Sequence, residues 1–321
     1  MRILALSDYM ELDSAIEQVH YANSFPGVEV KLRCNMSPYQ VEQTLICENY
    51  DGIFLSEALS SLSVCSSVHA TMWDVLQYQG QDYIGCRADD LMLLYDKALS
   101  DWRSGMGVPS QIISRSLWKY RRGEALKKIC DLGFPCTLES NSVPAPVNGI
   151  TVHSESEVVG AMNWLFGVNS RLTEILARRY PRHCEPYTVF VFGNGDFWAC
   201  WPEISAPYAS AYQMRSAAIG VPKLFERLAH CAGTLAHTFS VRDYCKFDFL
   251  VDASQRIYFI GIDTAPSLAK IGACAYINAL PFCPEQVLAL LLLIFAQRTG
   301  NCAFDGLSHV FPKILLNQLG F

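Results

Sequence analysis

The sequence has no excess of basic residues, no apolar run of membrane length, and few charges of either sign. Its 321 residues carry 25 Lys and Arg against 31 Asp and Glu, a net charge of -6. We expect no binding to nucleic acid, because that binding depends on cations that neutralise phosphates. The longest apolar run, residues 287–296, has about half the length of a membrane span. It predicts a buried helix, and we expect no association with a membrane.

The cysteines are numerous but show no pattern. None of the thirteen stands at CxxC spacing, so they predict reduced, mostly buried thiols rather than a zinc site. At the N-terminus, the apolar stretch at residues 3–6 is followed by acidic residues. It is too short for a signal peptide and fits a first buried strand. We therefore expect a cytoplasmic protein.

The first third of the chain alternates short apolar runs with amphipathic stretches. Strands are predicted at residues 3–6, 28–32 and 52–55, and the segment Tyr83-Ile84-Gly85 closes the unit. Helices are predicted from Leu12 onward and at residues 38–47. Strands separated by helices indicate an α/β domain with a parallel sheet. The chain length indicates two or three domains in total.

The remainder reads as α+β. In the middle region, helices are predicted at 88–103 and from Ser154, where Glu157 completes a capping-box pattern, with strands at 111–113, 136–138 and 149–152. In the last third, two hairpins and two helices are predicted: strands 187–192 and 197–201 around an Asn-Gly turn, helix 222–239, strands 245–251 and 257–262, and helix 284–298.

The second hairpin holds a candidate metal site. Alternation places Lys246, Asp248 and Leu250 on one face, and Gly261 and Asp263 on the returning strand. Two carboxylates on facing strands can converge on a hard cation such as Mg²⁺. The alternative is a hairpin with one partly buried carboxylate and one turn carboxylate.

Several motifs occur in a fixed order: YIGCRADDLMLLYDKALSDW with GVP, then GFPCTLES, PYTVFVFGNGDFWACWPEI and YCKFDFLVDASQRIYFIGIDTAPSL. This ordered set resembles the D-alanine–D-alanine ligases of the ATP-grasp superfamily over nearly the whole chain. The resemblance implies an ATP-grasp fold with an N-terminal α/β domain at 1–84, a central subdomain at 85–186 and a C-terminal subdomain at 187–321. It implies ATP gripped between the last two, Mg²⁺, amide-bond formation through an acylphosphate, a small amino-acid-like ligand, and a homodimer.

Five residues match functional positions of that pattern. The resemblance implies that Lys97 contacts phosphate, and that Asp248 and Asp263 bind metal, the latter in place of an Asn. Lys246 replaces an Arg that steadies the transition-state oxyanion, so the charge is kept without the bidentate fork. Glu11 aligns with a Glu that holds a substrate ammonium group.

Other positions depart from the pattern. Glu139 stands where the family has a second phosphate-binding lysine, which reverses the sign of the charge. The loop 140–148 carries two prolines in place of a glycine- and serine-rich phosphate cover. Gly261 replaces a bridging Glu ligand, Pro186 replaces a further Glu, and an acidic glycine motif is missing from residues 60–69.

The sequence leaves three functions open. The first is a divergent carboxylate–amine ligase using Lys97, Lys246, Asp248 and Asp263. The second is a pseudoenzyme or a repurposed module that binds a small ligand or a partner. The third is an ATP-independent enzyme that gives Glu139, Asp248 or a nearby Cys or His a new role, the nearby residues being Cys136, His153 and Cys245.

Overall fold

The computed structural model describes residues 1–7, 12–55, 76–87, 96–141, 149–168, 172–195, 197–204, 222–269, 271–272 and 280–321. The chain forms two compact units. The first comprises Met1–Asp90, Thr188–Phe247 and Asp263–Phe321, and the second comprises Leu91–Tyr187 and Asp248–Ile262. The finer division into three domains at 1–84, 85–186 and 187–321 stays a prediction.

The first unit opens with the predicted parallel sheet. Its elements are β1 (Arg2–Ser7), α1 (Leu12–Ala22), β2 (Glu29–Cys34), α2 (Pro38–Cys47), β3 (Gly52–Leu55) and β4 (Tyr83–Ile84). The strand order is β2-β1-β3-β4, and all three pairings are parallel. Helix α2 begins where predicted because Ser37 and Gln40 form a reciprocal capping box before it.

The second unit contains an antiparallel sheet covered by helices. Its elements are α3 (Lys97–Ser104), β5 (Ser110–Ser114), α4 (Arg115–Tyr120), α5 (Arg122–Leu132), β6 (Cys136–Ser140), β7 (Ile150–Val152), α6 (Glu155–Val168) and β8 (Glu174–Arg178). The strand order is β5-β8-β6-β7, with every pairing antiparallel. The sequence did not predict α4, α5 or the central strand β8. The two prolines of the 140–148 loop lie outside the described residues.

The two predicted hairpins belong to a third sheet. Its strands are β9 (Glu185–Asn194), β10 (Phe197–Ile204), β11 (Asp243–Val251) and β12 (Ile257–Asp263). Helix α7 (Pro222–Thr238) lies between β10 and β11 in the sequence. The strand order is β10-β9-β11-β12. Burial alternates along β11, where Lys246, Asp248 and Leu250 are partly exposed and the phenylalanines between them are buried. This alternation confirms the predicted face.

The apolar run at 287–296 forms a buried helix, as predicted. It lies in α8 (Val287–Thr299), after a 3-10 turn at Pro284–Gln286 and before α9 (Phe304–Ser308) and α10 (Lys313–Gln318). All ten residues of the run are buried. The Phe295 ring packs so closely on β3 that a Cβ at Gly52 would lie 2.4 Å from it. Among the described helices, none is long and apolar enough to cross a membrane.

A fully buried aspartate ties several parts of the first unit together. Asp243 is 0% exposed and accepts hydrogen bonds from Gly85 N at 2.9 Å and Asn194 Nδ2 at 3.2 Å. Arg298 donates to it through Nε and Nη2, at 3.0 and 3.1 Å. Arg298 also donates to the Tyr83 carbonyl at 3.0 Å. We call these residues, centred on Asp243, the aspartate hub.

Candidate functional site

Lys97 is fixed at the start of helix α3 by Asn141, the residue after strand β6. The backbone N–H groups of Lys97 and Ala98 donate to the main-chain and side-chain oxygens of Asn141, at 2.9 and 3.0 Å. The Asn141 amide donates in turn to Asp96 and Glu174, at 3.1 and 3.0 Å. Because Asn141 is buried, these bonds hold the helix start in one position relative to the sheet.

The side chain of Lys97 pairs with Glu139 on strand β6. Lys97 Nζ lies 2.5 Å from Glu139 Oε2, and the two side chains are only 16% and 14% exposed. The other oxygen, Oε1, accepts a hydrogen bond from Tyr180 at 3.2 Å and lies 3.3 Å from Arg178 Nη1. Burial raises the pKa of Tyr180 to about 12, so its hydroxyl stays protonated and donates. Both carboxylate oxygens of Glu139 are therefore engaged with cations.

Arg178 is the second cation of the site. It ends strand β8 opposite Thr137, so it shares a face with Glu139 two residues along β6. Its side chain is 2% exposed, and Nη2 lies 2.8 Å from Asp101 Oδ2. Nη1 also donates to the Ile260 carbonyl at 3.0 Å. Arg178 thus joins a carboxylate on the sheet to one on helix α3.

Asp101 lies on helix α3, one turn after Lys97, and is buried. Burial raises the pKa of this carboxyl to about 6, and the charge of Arg178 opposes that rise only in part. Within the part of the chain that the structure describes, neither oxygen of Asp101 has an aligned hydrogen-bond partner, and neither have Arg178 Nε and Nη2. The close Asp101–Arg178 contact is thus ionic and poorly aligned. Polar capacity is left unused at this point.

We call Lys97, Asp101, Glu139 and Arg178 the ion cluster. It holds two cations and two acids, so its formal charges cancel when all four are ionised. Each positive group already faces a carboxylate within 4 Å. An anionic ligand that binds Lys97 must displace Glu139, because the two side chains are already paired.

The Gly-Val-Pro motif has a packing role beside the cluster. A Cβ at Gly107 would lie 2.7 Å from the Cβ of Asp101, a separation that real side chains essentially never show. Gly107 also forms an isolated parallel β-bridge with Phe259 of strand β12. The Phe259 N–H donates to the Met106 carbonyl at 2.9 Å. Only glycine allows this approach of strand to helix.

The remaining predicted site residues are distributed over both units. In the first unit, Lys246 Nζ lies 3.7 Å from Asp263 Oδ2, and Asp263 Oδ1 accepts from Ala265 N at 3.1 Å. In the second unit, Asp248 is partly buried on β11. Glu11 lies outside the described residues, as do residues 60–69. Among the residues described, no three His, Cys, Asp or Glu side chains gather as a metal site.

The two cysteine candidates have environments unsuited to nucleophilic chemistry. Burial raises the pKa of Cys136 to about 11, and it raises that of the fully buried Cys245 well above the ordinary thiol value. Both thiols are therefore protonated at neutral pH, and the thiolate is the reactive form. His153 lies exposed after strand β7. The eleven cysteines that the structure describes are free.

Sequence reasoning missed half of the ion cluster. It identified Lys97 and Glu139 but neither Arg178 nor Asp101. Strand β8 is buried on both faces, so it lacks the alternation that reveals a strand. The available signal was an arginine that directly ends the apolar run ILA, since a charge in such a place needs a partner.

The sequence matches no protein-family profile and no curated protein. Similar solved structures are the D-alanine–D-alanine ligases of Bacillus anthracis, complexed with ATP, and Coxiella burnetii, and the VanG D-Ala:D-Ser ligase of Enterococcus faecalis. The TM-scores are 0.64, 0.67 and 0.68, at 14%, 13% and 13% identity. The aligned regions cover 92%, 99% and 92% of this chain, and 97%, 97% and 99% of the respective ligases. The chain therefore has the ATP-grasp fold of the D-alanine–D-alanine ligases.

Proposed function

We propose that this protein is a repurposed member of the ATP-grasp fold that binds a small amino-acid-like ligand and does not carry out efficient ATP-dependent ligation. The observation that supports this proposal is the double engagement of Glu139. Its carboxylate faces Lys97 at 2.5 Å and Arg178 at 3.3 Å. The lysine that the resemblance assigns to phosphate thus has an internal anion as its partner.

The charge balance argues against a triphosphate in this place. A phosphate oxygen near Lys97 also meets Glu139, and two like charges about 4 Å apart repel by about 4 kcal/mol at an effective dielectric constant of 20. The ligand must in addition break the buried Lys97–Glu139 pair. Gly261 supplies no carboxylate where the resemblance places a bridging metal ligand. These residues do not fit magnesium-ATP, and we assign them no step that uses it.

Titration of the full chain with magnesium-ATP, followed by thermal unfolding, tests the proposal. We expect no rise in Tm at millimolar nucleotide, because the stabilisation by a ligand, RT ln(1 + [L]/Kd), vanishes when Kd is far above the ligand concentration. Strong saturable stabilisation of the wild-type chain by magnesium-ATP contradicts the proposal.

The sharper test restores both groups with the double variant Glu139→Lys and Gly261→Glu. A Cβ at Gly261 meets no atom within 4 Å, so the second substitution starts in open space. We expect this variant to gain magnesium-ATP binding. The matched control is Glu139→Asp with Gly261→Ala, which changes the same positions but keeps the internal anion and adds no metal-binding carboxylate, and we expect it to gain none.

The second candidate is a divergent carboxylate–amine ligase. It is favoured by the completeness of the fold and by the pairing of Lys246 with Asp263, which keeps two of the predicted groups together at 3.7 Å. It predicts magnesium-dependent ATP turnover with an amino acid or dipeptide, abolished by Asp248→Ala. We also propose a cytoplasmic location. We propose in addition that the chain self-associates as a homodimer, and sedimentation of the purified chain tests this association.

A further inference from the structure

A separate pocket in the second unit is lined by arginine and tyrosine. It is open to solvent and has a volume of about 450 Å³, which falls within the range of small-molecule sites. The residues that line it include Pro109, Arg179, Tyr180, Arg182, Arg256 and Tyr258. We call it the arginine pocket.

Among the described residues, no carboxylate pairs with the three arginines of this pocket. Within the described ranges of the chain, Arg179, Arg182 and Arg256 form no salt bridge, although the chain as a whole is acidic. Arg179 Nη1 donates a hydrogen bond to the Leu132 carbonyl at 3.0 Å. Arg256 stacks on the Tyr258 ring, with its Cζ 5.1 Å from the ring centroid. Three uncompensated guanidinium groups on one concave surface attract anions.

Hydrogen bonds fix the backbone at two of these arginines, Arg179 and Arg256. Arg179 N donates to the Pro109 carbonyl at 2.9 Å, which anchors the residue directly after strand β8. The turn that carries Arg256 is organised by Asp252, whose carboxylate accepts from Ser254 N, Arg256 N and Tyr258 OH, each at about 3.0 Å. Asp252 is thus committed to the turn, and the pocket wall is preorganised for a ligand.

We propose that the arginine pocket binds a small organic molecule with at least two anionic groups, phosphate or carboxylate. Guanidinium forks match both groups in planar, bidentate geometry, and the rings of Tyr180 and Tyr258 supply flat surfaces beside them. This site differs from the ion cluster, because no carboxylate among the described residues forms a salt bridge with its three arginines. The arginine pocket can bind such a ligand whether or not the ion cluster binds ATP.

The test is calorimetric titration of the full chain with pyrophosphate and, separately, with citrate, at constant ionic strength and without divalent cations. We expect saturable binding of at least one probe. Arg182→Gln and Arg256→Gln should each weaken it about tenfold, as expected for loss of one charge-assisted contact, and the double variant should weaken it further. The arginines are exposed, so the ligand-free Tm should stay unchanged.

The matched control is Arg122→Gln. Arg122 is an exposed arginine of the same unit that stacks on the Trp118 ring at 4.9 Å, much as Arg256 stacks on Tyr258, but it does not line the pocket. We expect the control to bind the probe within twofold of wild type. Binding of pyrophosphate alone, citrate alone or both identifies the group recognised. Absence of saturable binding to both probes, or equal weakening by the control, overturns the proposal.

Discussion

Asp243 and Asp101 are both buried acids that face arginines, but their surroundings differ. Asp243 receives four hydrogen bonds, two of them from Arg298 and two from groups distant in sequence. Asp101 meets Arg178 in an ion pair without an aligned hydrogen bond in the described part of the chain. The first carboxylate is fully satisfied by its own protein, and the second is not.

The difference indicates a structural role for Asp243 and a more changeable environment for Asp101. A buried charge with all its bonds made is costly to disturb, because each partner loses its compensation at once. A buried charge with unused capacity changes its protonation or its partner more readily. The aspartate hub is therefore expected to stabilise the first unit, and the ion cluster to respond to pH and to ligands.

The largest expected effect is on the aspartate hub. Asp243→Ala removes four hydrogen bonds and leaves Arg298 without its buried partner, so we expect the free energy of unfolding to fall by about 3–5 kcal/mol. Urea denaturation measures this loss. The control is Asp82→Ala, since Asp82 lies 3.9 Å from the same arginine but is 60% exposed. A comparable loss in both variants contradicts the role given to the hub.

The next effect concerns pH. Asp101 has a folded pKa of about 6 against an ordinary 3.8, so between pH 4 and 6 the unfolded chain releases this proton first. Stability should therefore fall as pH rises through this window, by up to about 3 kcal/mol, and stay level above it.

Asp101→Asn should remove that contribution, because the amide does not titrate. Chemical denaturation of both chains from pH 3.5 to 7.5 measures the difference between their stabilities, in which the other titrating groups cancel. Parallel curves across this range would show that Asp101 has no raised pKa.

A smaller effect is expected at Glu139. Glu139→Gln leaves Lys97 and Arg178 facing a neutral amide, which should destabilise the chain by about 2 kcal/mol. Without the Glu139 carboxylate, Lys97 and Arg178 should then bind inorganic phosphate, so added phosphate should restore part of the Tm. Glu124→Gln, which breaks an exposed pair with Arg121, is the control and should cost under about 1 kcal/mol. If phosphate does not stabilise Glu139→Gln more than wild type, Glu139 is not the group that keeps Lys97 and Arg178 from binding anions.

The smallest effect tests packing beside the cluster. Gly107→Ala forces a Cβ against Asp101, so we expect a loss of about 1–2 kcal/mol by thermal unfolding. Gly123→Ala is the matched control, because a Cβ there meets nothing within 4 Å and alanine favours a helix. A stabilised Gly107→Ala variant would contradict this expectation, because it would show that helix α3 moves away at Asp101 without a loss of stability.

Local signals made much of the fold predictable. Helix α2 and strand β3 have their predicted bounds, because a capping box and a short apolar run mark them directly. The buried helix α8 followed from an uninterrupted apolar run. Strand β8 gave no such signal, since four of its five residues are buried and both faces look alike.

The candidate site was harder to predict because its meaning depends on tertiary partners. The sequence revealed the reversed charge at Glu139 but not the Arg178 that neutralises it. The partner of Asp101 is likewise Arg178, 77 residues later in the chain, a contact that no local pattern encodes. Assignments of Lys246, Glu11, Lys97, Glu139, Asp248 and Asp263 to a ligand stay predictions.

The neutral ion cluster has a kinetic consequence. Two positive and two negative groups held close together produce a field that cancels within a short distance, and salt screens the remainder beyond about 8–10 Å. A diffusing anion is therefore not steered toward Lys97, whereas the guanidinium groups of the arginine pocket, which pair with no carboxylate in the described part of the chain, act at longer range. Association rates of anions with the second unit should thus depend on ionic strength through the pocket and not through the cluster.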